Sequence, residues 1–347
     1  MARKWIVRRG GKARGFRYTH PAGTTVSDAA LLERIEALRI PPAWRDVHIA
    51  VNARLAIQAW GYDARGRKQY RYHEHAVRRG ELRKYHRVRQ LARDLPAIRR
   101  KVDADRRREE PTREKVSAAV VRLIAEGFFR VGSERYAKEN KTFGIATLRK
   151  SHMKIEGDCI AFQYTGKRAI LQRQVIVDAE LAAFLTELAR APGRRLFRYR
   201  SEEGWCDLTA RDVNTYLRRI AGVPYTAKDF RTWGGTLRLA TVLADLGPPA
   251  SDREAKRNVV LAVRLVAAEL GNTPAICRKS YVHPMVIARY LDDGITIARD
   301  IERRPRRKNG APKPRYAHTP EERALIAFLD RYFPERREKP RAEEAAA

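Results

Sequence analysis

Cysteine is scarce in this chain: three residues in 347, Cys159, Cys206 and Cys277, at no metal-like spacing. That excludes a disulfide framework and a cysteine-built zinc site, and it suits a reducing compartment in which the three are ordinary core residues. Long apolar runs are missing too, with nothing near the roughly 18 consecutive residues that a spanning helix needs. The opening Met1-Ala2-Arg3-Lys4-Trp5 runs into further basic residues and not into the apolar stretch of a secretory signal. No repeat and no heptad pattern is present. Negative charge is in short supply: 41 Asp and Glu stand against 73 Lys and Arg, a net +32. A chain so unbalanced repels itself unless its working partner is a polyanion, so nucleic acid is the expected partner. An anionic membrane surface is the weaker alternative, since no long amphipathic helix accompanies the charge.

What is there divides into stretches of different period. The length suits two domains. Residues 1 to about 85 read as a small β-rich domain, with short β-prone runs at Gly15–Tyr18, Val47–Val51 and Leu55–Trp60. Between them Leu31, Leu32, Ile35 and Leu38 share one helical face, in a helix opened by Ser27 and closed by Ile40-Pro41-Pro42. The stretch Gly66-Arg67-Lys68-Gln69-Tyr70-Arg71-Tyr72 is the densest mixture of bases and aromatics. As a strand it would line cations and rings along one surface, an arrangement suited to phosphate and base contact; a merely solvated basic strand is the plainer alternative. It is no Walker A loop, because Gly66 is followed by Arg-Lys without Ser or Thr. His73 and His75 fall on one face of the same strand and His86 follows, but no acidic or Cys partner completes a metal set, so no metal site is expected.

A basic helical linker is expected over 86–110 and a mostly helical domain over 111–301. Thr112 is the candidate N-cap of a helix with Val116, Val120, Leu123 and Ile124 on one face, leading into Phe128-Phe129-Arg130-Val131-Gly132. Ser133 is expected to cap a further short helix. Residues 151–176 then change to period two, with turns at Gly157-Asp158 and Gly166-Lys167: two hairpins, hence a three-stranded antiparallel sheet with Lys167 at an exposed tip. The remainder reads as helical, over Ala179–Ala189, from Thr209 through Ile220, over Lys228–Leu246 and Ser251–Leu270, and over 284–300. Residues 302–347 are expected as a basic link, a short helix capped at Thr319, and a frayed tail.

Near the C-terminal third, Gly271-Asn272-Thr273-Pro274 stops one helix and starts another, which runs to Ser280-Tyr281-Val282-His283. A lone tyrosine there is more often core packing. Tyr281, however, follows Arg130, Lys167, Lys228, Arg231 and Asn272 in order. Cleaving a phosphodiester with a tyrosine needs an attacking phenol, cations for the non-bridging oxygens, and an acid for the leaving oxygen. Arginine suits the second role through its fork, and lysine the third because neighbouring cations lower its pKa.

The order and settings resemble type IB DNA topoisomerases, specifically the compact poxvirus-like and bacterial branch. The stretches that carry the resemblance are Phe129–Gly132, Thr165-Gly166-Lys167, Lys228-Asp229-Phe230-Arg231-Thr232-Trp233-Gly234, Gly271–Pro274, Ser280-Tyr281 and, in the first domain, Gly66–Tyr70. The resemblance implies an α+β protein of two domains, a β-rich N-terminal clamp domain and a helical catalytic domain with a small three-stranded sheet. It implies relaxation of supercoiled duplex DNA through a 3′-phosphotyrosyl link to Tyr281, without ATP, metal or other cofactor. Arg130 and Arg231 would hold the phosphate, Lys167 would be the general acid, and Lys228 would lie close by. Arg67, Lys68, Tyr70, Tyr72 and Tyr136 are the expected DNA contacts, and the protein is expected to be a cytoplasmic, nucleoid-associated monomer. At Asn272 the poxvirus enzymes carry histidine and related bacterial enzymes asparagine; a neutral amide can still donate to a phosphate oxygen. A tyrosine recombinase or integrase usually has His-x-x-Arg where this chain has Lys228-x-x-Arg231. A non-catalytic basic DNA-binding protein would explain the charge but not the ordered set.

Overall fold

The computed structural model describes residues 5–11, 13, 15–302 and 315–333, and the chain divides into two units, Met1–Lys84 and Tyr85–Ala347. The architecture is α+β. In the first unit five strands form an antiparallel sheet: β1 (Trp5–Gly11), β2 (Gly15–Thr19), β3 (Arg45–Ala50), β4 (Ile57–Tyr62) and β5 (Lys68–Tyr72), in spatial order β2-β1-β3-β4-β5. Helix α1 (Ala29–Ala37) buries Ile35 against Ile6, Val47, Ile49 and Ala59 of the sheet, with Leu31, Leu32 and Leu38 packed around them. Its N-cap is Asp28 and not Ser27: the Asp28 carboxylate accepts from the Ala30 and Leu31 N–H groups at 2.9 and 3.3 Å. A carboxylate at that position also faces the positive end of the helix, which a hydroxyl meets less strongly.

The second unit begins within the long helix α2 (Glu74–Arg106). Residues 86–110, expected as a basic linker, belong to this unit's core over most of their length. Val88, Leu91, Ala92, Leu95, Ile98 and Val102 are buried in its main hydrophobic cluster; Arg89 is buried beside them and donates to the Phe333 carbonyl, while most of the other basic residues of the segment are exposed. The high basic content hid this apolar stripe. Pro96 lies inside α2 and has no N–H for the Ala92 carbonyl; that carbonyl instead meets His318 Nε2 at 2.7 Å. Facing a carbonyl, this nitrogen carries the proton.

Helix α3 (Arg113–Gly127) is capped by Thr112 and ends at Phe128 in the left-handed conformation, φ 53°. Helix α4 (Glu134–Glu139) has Ser133 at its N-cap, but that side chain makes no capping bond. Strands β6 (Met153–Glu156), β7 (Cys159–Thr165) and β8 (Leu171–Val177) form the three-stranded antiparallel sheet with β7 in the centre. Helix α5 (Ala179–Arg190) follows. The next segment departs from the expected all-helical reading: β9 (Arg198–Ser201) and β10 (Gly204–Asp207) make a hairpin turned at Glu202-Glu203, with Gly204 opening β10 at φ 113°. The signal was there, a glycine between alternating aromatics, but each strand has only four residues.

Helices α6 (Ala210–Ala221), α7 (Ala227–Leu246), α8 (Asp252–Glu269), α9 (Pro274–Ser280), α10 (Pro284–Asp293) and α11 (Ala298–Glu302) complete the body. The expected run over 284–300 is broken at Gly294, which takes φ 65° as the C-cap of α10. Helix α12 (Pro320–Tyr332) is no appendage. It buries Ala324, Leu325, Phe328 and Leu329 in the same cluster as α2, and Glu322 accepts from Arg99 at 2.5 and 3.0 Å. The expected basic link over 303–310 and the tail over 341–347 lie outside the described residues. No single described helix is long and apolar enough to cross a membrane.

The backbone at Arg130 is fixed by a close approach. Ile145 N–H donates to the Arg130 carbonyl at 2.8 Å and Ala146 N–H to that of Val131 at 2.9 Å. A Cβ on Gly144 would fall 2.5 Å from Gly132 backbone atoms and 2.6 Å from the Arg130 oxygen, and backbone cannot swing aside. Gly144→Ala should therefore lower stability by about 1–3 kcal/mol in urea unfolding followed by circular dichroism; an unchanged midpoint would refute the close approach.

Candidate active site

Four segments of the second unit meet at one small cleft, whose lining includes Arg130, Lys167, Gly271, Asn272 and Tyr281. Arg130 comes from the turn after α3, Lys167 from the turn between β7 and β8, Asn272 from the turn after α8, and Tyr281 from the end of α9. Thr273 caps α9 through its hydroxyl, with Pro274 at the first turn, so the helix start anticipated in the sequence is also what carries the chain from Asn272 to Tyr281.

Arg231 lies behind Tyr281, with its guanidinium carbon 5.0 Å from the phenol ring centroid. The residue is 2% exposed. Its Nη1 donates to the Phe128 carbonyl and its Nη2 to the Leu270 carbonyl at 2.8 Å. Phe128 and Leu270 are the C-caps of α3 and α8, so two helix C-termini turn their negative ends on one buried cation. Burial, with Arg130 nearby, lowers the Arg231 pKa to about 10, against the pull of the Tyr281 phenol. The guanidinium remains charged at neutral pH. Because its folded-state pKa lies below the unfolded value, charged Arg231 costs the fold stability below pH about 10. Burial also raises the neighbouring Tyr164 to about 12 and Cys277 to about 11, so both are neutral.

Arg130 Nη2 donates to the Gly271 carbonyl at 3.0 Å and to Asn272 Oδ1, while Nη1 donates to Gln172 Oε1 at 3.2 Å. With its carbonyl taken by Arg130, Asn272 has its amide nitrogen buried without a partner, and the Arg231 Nε is buried without one as well. Unpaired buried donors are costly and uncommon. Two of them beside one cleft, together with two arginines, gather hydrogen-bond donors and positive charge of the kind an anion would satisfy.

The tyrosine is held by its backbone. Its N–H donates to the Cys277 carbonyl at 2.9 Å. A Cβ on Gly235 would come within 2.8 Å of the Tyr281 carbonyl, so α7 approaches Tyr281 as closely as only glycine allows. Thr236 Oγ1 accepts from His283 N–H at 3.1 Å, and Tyr85 Oη donates to the Val282 carbonyl at 2.9 Å. Gln172, Gly235, Thr236 and Tyr85 were not singled out in the sequence. The Gly-Gly pair inside a helical pattern was a signal of close approach; a glutamine in a strand and a tyrosine in a long basic helix carry none.

The remaining candidates stand apart from the cleft. Lys228 is exposed on the first turn of α7 and does not line it. Tyr136 is 46% exposed on α4. In the first unit, β5 exposes Lys68, Tyr70 and Tyr72 on one face, with the two phenol rings stacked at 5.8 Å and the Lys68 ammonium 3.8 Å from the Trp60 ring centroid. Arg71 points the other way and donates to the Arg39 carbonyl at 2.6 Å. Arg67 pairs with Asp63 at 2.7 Å across the turn, and this partner holds the Asp63 carboxyl down to about 2. His73 and His75 stack on each other, not along a strand: β5 ends at Tyr72, and His75 is in α2. Among the described residues no group of three or more His, Cys, Asp or Glu is arranged to hold a metal ion.

Over residues 74–306 the chain matches the family model described as eukaryotic DNA topoisomerase I, catalytic core, and over 15–63 the one described as bacterial DNA topoisomerase IB, N-terminal domain. The DNA topoisomerase 1B of Acanthamoeba polyphaga mimivirus is 32% identical over 270 residues, 76% of this chain and 80% of the relative. That of Vaccinia virus (strain Copenhagen) is 25% identical over 243 residues, 67% of this chain and 72% of the relative. A solved structure of the XerH site-specific recombinase bound to its difH substrate aligns at a TM-score of 0.36 and 16% identity, covering 55% of this chain and 48% of that one. The chain belongs to the type IB DNA topoisomerase family. The first family match contains every residue of the cleft, and the recombinase and non-catalytic alternatives are not favoured.

Proposed function

We propose that the protein relaxes supercoiled duplex DNA, with Tyr281 as the nucleophile that opens and reseals one strand. The observation that carries the assignment of roles is the convergence of Tyr281, Arg130, Lys167 and Asn272 on one cleft, backed by the buried Arg231 guanidinium. The phenol gives up its proton to solvent water as its oxygen bonds to phosphorus. Arg130, Arg231 and the unpaired Asn272 amide take the charge that grows on the non-bridging oxygens. The bond from phosphorus to the 5′-oxygen breaks, and Lys167, exposed in the turn after β7, gives that oxygen its proton. The 3′-phosphotyrosyl bond keeps the energy of the phosphodiester, so the reverse reaction reseals the strand after the free end has rotated. Lys228 has no step in this scheme.

Tyr281→Phe should retain DNA binding and lose both plasmid relaxation and the denaturant-stable protein–DNA adduct, in assays without ATP or magnesium. Relaxation by the variant at the wild-type rate would remove Tyr281 from the chemistry.

The acid and the phosphate clamp are separable. A bridging 5′-sulfur is a weak base that leaves without a proton. Lys167→Ala should lose about 10²–10⁴-fold on ordinary DNA and recover most of it on the 5′-thio substrate. Arg231→Lys, which keeps a charge but loses the fork, should be about a hundredfold slower on both. Failure of sulfur to rescue Lys167→Ala selectively would make Lys167 a binding residue.

We also infer that the chain works as a monomeric clamp on duplex DNA, in the cytoplasm and on the nucleoid, with the exposed Lys68, Tyr70 and Tyr72 face of the first unit supplying affinity and not chemistry. Light scattering of the DNA complex checks the stoichiometry, and a fluorescent fusion checks the location. Lys68→Ala should weaken binding and reduce the log–log salt slope by about one, with the cleavage rate at saturating protein unchanged. An unaltered slope would take Lys68 off the DNA.

A further inference from the structure

Strand β8 exposes one face and turns Gln172 and Ile176 inward. Gln172 is 3% exposed, a buried polar side chain with one good hydrogen bond: its Oε1 accepts from Arg130 Nη1 at 3.2 Å. Its amide nitrogen reaches the Ile170 and Leu171 carbonyls only at 3.4 and 3.5 Å. Two glycines make room for it. A Cβ on Gly166 would lie 2.6 Å from Gln172 Cγ, and one on Gly271 would lie 2.1 Å from its Oε1. Those glycines immediately precede Lys167 and Asn272. The side chain is thus wedged between the two turns that carry cleft residues, and its one acceptor is spent on the third.

The Arg130 guanidinium is tied at both terminal nitrogens, to Gln172 on one and to Gly271 and Asn272 on the other. A single tether leaves a long arginine free to rotate about its stem; tethers at both ends set the plane in which the guanidinium meets an anion. We propose that Gln172 is a positioning residue for the reaction, fixing the plane of the Arg130 guanidinium against the scissile phosphate; this rests on the reading of Tyr281 and Arg130 given above. The plainer alternative is that Gln172 only fills the space under Gly166 and Gly271.

Methionine has nearly the length and volume of glutamine but no carbonyl, so Gln172→Met keeps the filling and removes the acceptor. In single-turnover cleavage of duplex DNA by the full chain, Gln172→Ala and Gln172→Met should each be about 10–100-fold slower than wild type, the loss of a hydrogen bond to a charged group. Placed on an Arg130→Ala background, either change should cost no more than about twofold further, because a residue acting through Arg130 has nothing left to position. Cleavage by Gln172→Met within about twofold of wild type would leave space-filling as the role. The same factor lost in both backgrounds would show that Gln172 acts independently of Arg130. Either result overturns the proposal. A wild-type protein that forms no adduct, or one that forms it without Tyr281, would instead overturn the underlying reading. Should Gln172→Ala fail to fold, Gln172→Met carries the test.

Discussion

A guanidinium cannot be buried without acceptors, and those of Arg231 are the backbone carbonyls of Phe128 and Leu270. This one requirement draws three helices together. Helix α3 must end in a left-handed residue to aim the Phe128 carbonyl, α8 must end at Leu270, and α7 must present Arg231 between them. The segments that leave those two helix ends are the ones that carry Arg130 and Asn272. The cation that stands behind Tyr281 therefore also determines where Arg130 and Asn272 emerge into the cleft. Its charge costs stability in the absence of an anion, and the neighbouring unpaired donors add to that cost. Sites that act by preorganised electrostatics commonly carry such a cost, because donors aimed at a transition state are unsatisfied before it arrives.

Glycine has the complementary part. At Gly144, Gly235 and Gly271 a methyl group would meet backbone or a buried amide at under 3 Å. Each lies where two segments of the site touch: the Arg130 turn against the following loop, α7 against Tyr281, and the Asn272 turn against Gln172. Hydrogen bonds orient the side chains of the cleft, and these close approaches set the distances between the backbones that carry them.

The charge of the chain is used in two ways. In the second unit many arginines are structural, as where Arg99 fastens α12 through Glu322 and Arg87 donates to buried Asp229 at 2.8 and 3.0 Å. In the first unit the alternation of β5 separates Arg71, turned back onto Arg39, from Lys68 and the stacked tyrosines on the open face. A count of basic residues overstates the positive surface available to a polyanion.

The sequence determined what depends on neighbours along the chain. Thr112, Thr209, Thr273 and Thr319 each cap the helix expected of them, because a cap is decided within three residues. The three-stranded sheet and the turn that carries Lys167 follow from period and glycine. The ordered set ending at Tyr281 could be read from the sequence as a candidate site because residue type and order limit what such groups can do. Tertiary structure alone decided which of them meet. Lys228 precedes Arg231 by three residues yet stays exposed outside the cleft, whereas Gln172, distant from Arg130 in sequence, touches it. It also decided that α2 and α12 are core, since a basic helix is buried or solvated according to what packs on its one apolar stripe. Contacts between segments far apart in the chain follow from how helix ends and sheet edges close-pack, and no local pattern encodes that.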